Sequence, residues 1–522
     1  MSLFFRLHIS FLYLFLVFCA GHSSAQETAG VSISLDEAVS AALKNNFEII
    51  LQRVATDIAR HDTTIADSGF DTIFGAEVNT ESTRNPGISV FSDPEITETD
   101  LMNSSVSLSR KSYLGGQYKL SLDVGRFETN STFQSINPSY SSALKLEIAQ
   151  PLLKNAGKKA NRWRILISQN NESISFQRLR AKLNDTITEI SETYWEYVFL
   201  TENLKVSQEF LERARDLERR VRVQVEVGSL APIEIIQAQS SVASREELVI
   251  EAENNVDAMG DRLLRLMNPS DDSPIWLSRI KPEDDPEMPY KAFDLRESTA
   301  AALEKRPEIS IAKKELENQN IELVYYKNQK WPSLDLVGSF RLNGVRGPAR
   351  PIASFSTGEI LVSSLDGGLY NSLSDAYSGE YYDYKIGLRL TYPLGNRSAK
   401  GALAKASLYA KTSLIKLKSL ERDVTLEVRN EARNVEKSIK QIDASSAARL
   451  LAEKKLEAEI RKFEVGSSTS FNVLEFQKDL AAERSHELRA KVEYRKAVAR
   501  LHKATGDTLD ASGISFESFK NK

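Results

Sequence analysis

The chain has 522 residues, 27% of them charged, and a net charge of -4. That near balance excludes a strong single-sign field for nucleic acid, and the length exceeds what one ordinary domain needs. Mean hydropathy is -0.34. After residue 25 no run approaches the ~20 apolar residues of a membrane helix, so if this chain spans a membrane it does so with strands.

Residues 1–25 read as a secretory signal peptide. Arg6 precedes an apolar run over residues 11–20, and Ser23 and Ala25 occupy the small-residue positions of an exit site. Cleavage there removes Cys19, the single cysteine. The mature chain then has no disulfide, thiol nucleophile or thiolate metal site. Phe18 stands where a lipoprotein signal wants a small residue, which argues against lipidation at Cys19.

Ser34 and Glu37 form a capping box, and the spacing predicts one amphipathic helix running to about residue 66. The segment recurs at an offset of 260. Leu35, Glu37, Ala41, Ala42, Leu43, Glu48 and Ile49 match Leu295, Glu297, Ala301, Ala302, Leu303, Glu308 and Ile309. Glu226-Val-Gly-Ser229 recurs as Glu464-Val-Gly-Ser467 at 238, and Gln239 matches Gln477. The chain thus reads as two repeats, 34–268 and 294–507, with a linker at 269–293 and a tail at 508–522. The offset falls by 22, so the first repeat carries an insert of about that size, expected in its strand region.

Six strands are expected: 70–79, 105–110, 117–124 and 142–150 in the first repeat, 334–342 and 384–392 in the second. The last alternates Tyr384, Ile386, Leu388, Leu390 and Tyr392 with Lys385, Gly387, Arg389 and Thr391. Alone it favours a half-buried soluble strand over a bilayer-crossing one with tyrosines at the headgroups. Trp331, Tyr384 and Tyr392 are the candidate girdle aromatics. The tight turn at Gly115-Gly116 and three long polar stretches match the alternation of short and long loops in outer-membrane barrels, and the Gly115 hairpin is about the size of the insert.

Each repeat then turns helical. Phe176, Leu179, Leu183, Ile187, Ile190, Tyr194 and Tyr197 are spaced by three and four. Long helices are predicted over about 161–226 and 398–464, roughly 100 Å each, and shorter return helices over 233–266 and 471–503, roughly 50 Å each. Opening and return helices end to end match one long helix, which suggests a layered helical wall. Gly228 and Gly466 suit turns between antiparallel helices, and Pro232 a first helical turn. His61, His486 and His502 lack metal-ligand partners at useful spacing. No phosphate loop or nucleophile elbow is present. Glu246-Glu247 and Asp284-Asp285 read as solvated charges. Nothing points to an enzyme, cofactor or metal.

The signal peptide, the duplicated opening helix that begins Leu-x-Glu, the strands, Gln150-Pro-Leu-Leu153 leading into a long helix and the two Val-Gly-Ser tips together resemble the TolC family of bacterial outer-membrane efflux channels. The likeness covers about residues 34–507. It implies a mainly α fold with transmembrane β: duplicated long-helix hairpins forming a trimeric α-barrel, plus strands given to a shared outer-membrane barrel. It implies a passive duct for efflux or type I secretion, set in outer-membrane lipid with its helical part in the periplasm. Its partners would be an adaptor protein and an inner-membrane pump. Val227, Gly228, Ser229 and Leu230 with Val465, Gly466, Ser467 and Ser468 would be the adaptor-contacting tips. The family's two acids at the aperture fall on Asn472 and Glu475, so a constriction would rest on Glu475, with Glu234 the first-tip counterpart of Asn472. A basic gate residue of some members falls on Ser468. Known members supply four strands per chain, against six candidates here. The cargo, whether drug, metal ion or protein, is not legible. The competing reading is a periplasmic structural coiled-coil or adaptor that never crosses a membrane.

Overall fold

The computed structural model describes residues 31–86, 94–287, 289–290, 293–353 and 358–519. The signal peptide and Cys19 lie outside them. The chain forms two compact units. Of the described residues, one takes those within 31–49, 183–295 and 429–514, the other those within 50–182, 296–428 and 515–519. Each draws on both halves of the sequence.

In chain order the elements are β1 (Val31–Ile33), α1 (Leu35–Asn45), α2 (Phe47–Asp67), β2 (Ile73–Pro86), β3 (Ile96–Lys111), β4 (Gln117–Thr129), β5 (Ser139–Pro151), α3 (Lys158–Asn161), α4 (Trp163–Glu226) and α5 (Ile233–Met267). The second half holds β6 (Ile280–Pro282), α6 (Leu295–Lys305), α7 (Pro307–Gln329), β7 (Ser333–Arg346), β8 (Ile352–Ala353), β9 (Ile360–Leu361), α8 (Leu369–Ser378), β10 (Tyr381–Thr391), α9 (Arg397–Glu464), α10 (Ser470–Thr505) and α11 (Thr508–Ala511).

The expected single opening helix is in fact two. The capping box of Ser34 and Glu37 starts α1 as expected. Asn46, in extended backbone, then breaks the chain and its side chain accepts from the Glu48 N–H at 2.9 Å, capping α2. Asn46 also donates to the Leu266 carbonyl. At the same place in the second repeat Arg306 makes the break and Pro307 begins α7. Arg306, 8% exposed at its side chain, pairs with Glu427 at 2.5 Å and with Glu308. Apolar periodicity continues through both breaks, which hides them from a pattern reading.

In the first unit the helices bury one seam. Phe210, Leu217 and Val221 of α4 meet Leu456 and Phe463 of α9 and Val473 and Leu480 of α10. A second cluster joins Val435 and Ile442 to Tyr494, Val498 and Leu501. Each such side chain stabilises by roughly 1.5–3 kcal/mol on leaving water. β1 and β6 pair in parallel, and Tyr197 donates to the Ile280 carbonyl at 2.5 Å. Asp284, expected to be a solvated charge, instead accepts from Tyr194 Oη at 2.7 Å and the Leu35 N–H at 2.8 Å.

In the second unit the helix contacts carry buried polar pairs. Asn170 donates to Asn318 at 2.9 Å, and Asn318 donates to Asn171 at 3.0 Å. Its sheet has six strands in the order β10-β7-β5-β4-β3-β2, every neighbouring pair antiparallel. All six expected strands are present, and longer than expected: β3 has 16 residues and β4 has 13. The stretch of nearly forty residues before β10, read from sequence as loop alone, contains the β8-β9 hairpin and α8.

Candidate functional site

The sheet register lines up one apolar face across all six strands. Phe74, Leu108, Leu120, Leu146, Phe340 and Tyr384 form a single transverse row. Ala76, Val106, Leu122, Leu144, Leu342 and Tyr382 form the next. Most of these large side chains are exposed, as are Ile386 (76%), Leu388 and Leu390. A soluble sheet would bury such a face. The alternate residues are polar: Ser107, Ser121, Lys145, Arg341 and Asp383 share one row on the opposite face. The β3-β4 hairpin carries the same apolar rows as its neighbours.

Aromatics bound this belt. Tyr392 and Trp331 are exposed at the helix-proximal end, and Tyr382 and Tyr384 toward the other. The ten-residue rise from Tyr382 to Tyr392 is about 33 Å along the strand. Tilted by about 40°, it covers roughly the 25 Å of an outer-membrane apolar band.

α8, which was not expected from the sequence, rests on the apolar face at the end far from the helices. Gly344 is its seat: a Cβ there would come within 1.9 Å of the Ser372 carbonyl oxygen. Ser142 Oγ donates to that carbonyl at 2.7 Å, Ser372 Oγ donates to the Gly344 carbonyl at 2.9 Å, and Arg346 grips Asp375 through two nitrogens. Ser372 and Ala376 face the sheet, whereas Tyr370 (83%) and Tyr377 (90%) are exposed. The helix adds two rings beyond Tyr382. The alternation of buried small and exposed aromatic residues was the available signal, masked by the Gly- and Ser-rich surroundings.

The two tips are built alike. Gly228 has φ 79° and Gly466 has φ 74°. In the first, Ser229 N donates to Gln224 O at 2.8 Å and Gly228 N to Val225 O at 3.0 Å. In the second, Ser467 N donates to Lys462 O at 2.8 Å and Gly466 N to Phe463 O at 3.0 Å. This is the Schellman helix end, whose left-handed residue favours glycine. Val227 (74%) and Val465 (79%) are left exposed at the apex. Leu230 is half-buried against the apolar seam.

Of the aperture candidates, Glu234 accepts a short hydrogen bond from Ser470, which ties the start of α5 to the start of α10. Asn472 donates to Ser468 Oγ at 3.3 Å, and its backbone N–H meets the Thr469 side chain. Glu475 lies 3.5 Å from Lys478, both well exposed. Ser468 donates to Glu459 at 2.5 Å. That bond, with help from Lys462, holds the Glu459 carboxyl below the usual range. His502 meets Asp507, and His486 meets Glu483. Among the described residues no cluster of His, Cys, Asp or Glu could hold a metal.

With its six-stranded sheet apolar on one face and its two helical hairpins with matching tips, the chain shares the fold of solved outer-membrane channels. Residues 299–507 match the family described as outer membrane efflux protein. It is 29% identical over 163 residues to outer membrane protein TolC of Vibrio cholerae serotype O1, across 30% of this chain and 37% of that protein. The CmeC outer membrane channel of Campylobacter jejuni superposes with a TM-score of 0.65 at 17% identity, covering 91% of this chain and 86% of that one. VceC of Vibrio cholerae gives 0.62 at 13% identity, over 90% and 96%. The open-state MtrE channel of Neisseria gonorrhoeae gives 0.59 at 16% identity, over 91% and 89%. The resemblance to the TolC family read from the duplicated motifs is borne out, and that family is one of channels.

Proposed function

We propose that this chain is one subunit of a trimeric, passive export duct. All six strands lie in the outer membrane and the helices in the periplasm. The carrying observation is the continuous apolar face of six strands, bounded by aromatics. Exposed edges are not tolerated in lipid, and six strands fall short of the usual minimum of about eight for a closed barrel. Because the strand number is even and all neighbours are antiparallel, β2 and β10 run in opposite directions. The free edge of one copy can therefore pair antiparallel with that of the next, a head-to-tail contact that closes a ring. Three copies, the number the family resemblance implies, give eighteen strands.

The tips dock an adaptor through Val227 and Val465, and the pump it recruits supplies both energy and choice of cargo. No catalysis is required. A periplasmic coiled-coil protein would share the helices but leaves the apolar sheet unexplained. Outer-membrane fractionation should yield an SDS-resistant trimer that conducts in planar bilayers. Recovery in the soluble periplasm, or a folded trimer without pores, sinks the proposal.

A further inference from the structure

The polar face of the sheet has a charge pattern along the strands. In the half nearest the helices it carries Lys111, Lys119, Lys145, Arg341, Lys385 and Arg389 against three acids, Glu147, Asp335 and Asp383. In the far half it carries Glu77, Glu81 and Asp123 and no cation among the described residues. Glu147 is engaged by Lys145 at 2.8 Å, and Asp335 and Asp383 accept from Ser333 and Asn343. Lys111, Lys119, Lys385 and Arg389 have no acid within ion-pair distance among the described residues, even though Arg389 sits directly opposite Asp335 in the register. These four line one cavity of about 520 Å³, together with Asp71 and Glu147. Lys119 and Lys385 share a transverse row three strands apart, hence about 14 Å. The apolar face must meet lipid, so this face meets the lumen.

We infer that the helix-proximal half of the lumen wall is a cationic vestibule that draws in solutes bearing carboxylate, phosphate or sulfate groups. This deepens the duct reading and rests on it. Free cations on a low-dielectric wall raise the local concentration of anions. At the tips Glu475 lies 3.5 Å from Lys478, which offsets that acid. The acids of the far half make the pore electrically asymmetric, so its current should rectify.

The test is reversal potential in planar bilayers of neutral lipid under a KCl gradient near about 0.1 M, where screening reaches about 10 Å. Wild-type trimer should pass chloride about threefold better than potassium, with the ratio falling towards one at about 1 M. Lys119→Glu combined with Lys385→Glu should bring the ratio below one, and Lys119→Gln with Lys385→Gln, the gentler pair, close to one. Glu475→Gln should leave it above one. Pores that prefer potassium in wild type, or that ignore both lysine pairs, overturn the vestibule and leave the duct standing. Folded trimer without pores overturns both.

Discussion

The two tips and the two strand regions descend through the same duplicated sequence, yet one pair is matched bond for bond and the other is not. Gly228 and Gly466 close their helices with the same two backbone hydrogen bonds. Between β2 and β5, by contrast, the first repeat inserts the β3-β4 hairpin, where the second has only the segment bearing α8 between β7 and β10. A Schellman turn admits one geometry and hence one residue type. A meander admits any added hairpin that keeps the apolar alternation.

The sharpest challenge to that comparison is a charge on the lipid face. Ile386→Arg, in the strand shared by both repeats' plan, should cost about 2–4 kcal/mol per subunit near the bilayer midplane and abolish the SDS-resistant trimer. Leu120→Arg, in the inserted hairpin, should do the same. If gel analysis shows the second variant assembling normally, the hairpin does not cross the membrane. Seating α8 comes next: Gly344→Val should dislodge it, and limited proteolysis between β7 and β10 should become faster while the trimer persists.

At the tips, Gly228→Ala and Gly466→Ala should each cost about 1–2 kcal/mol, since a Cβ is forced into the left-handed region. Thermal unfolding of the two variants should agree. A clear inequality would mean the tips are less alike than their bonds suggest. Asp284→Ala should cost about 1–3 kcal/mol by stranding the Tyr194 hydroxyl and the Leu35 N–H.

The smallest effect concerns pH. Burial pushes the Glu196 carboxyl up, but hydrogen bonds from Arg489 and Lys496 outweigh it and hold it below the usual range. A carboxyl lowered on folding stabilises above its unfolded pKa of about 4.3, and that stability is lost as pH falls through the lower folded value. Denaturant midpoints should therefore decline below about pH 4.5, and Glu196→Gln should flatten the decline.

Much of this was readable from residues alone. Period-two alternation found all six strands because one face of each must be apolar, and Val-Gly-Ser marked both tips because a left-handed turn wants glycine. The break at Asn46 was hidden because apolar periodicity runs through it. Its counterpart at Arg306 was hidden as well, although Pro307 is compatible with a first-turn position. Asp284 looked like surface charge because its partners, Tyr194 and Leu35, are distant in sequence. α8 escaped because its inward face is made of small residues, Ser372 and Ala376, which carry no hydrophobic signal. The girdle aromatics were expected at Trp331, Tyr384 and Tyr392; the exposed Tyr370 and Tyr377 lie on that undetected helix.

The strands that join neighbouring copies in the proposed duct, β2 and β10, lie at opposite ends of the sheet from one another, and the hairpin lies between β2 and β5. Neither joining edge is touched by such an addition. In the proposed trimer, pore width would therefore grow in modular steps, two strands per subunit and six per ring of three, with the subunit number and the joint left as they were. The bore of the duct and the symmetry of its assembly are, in this architecture, separately heritable traits.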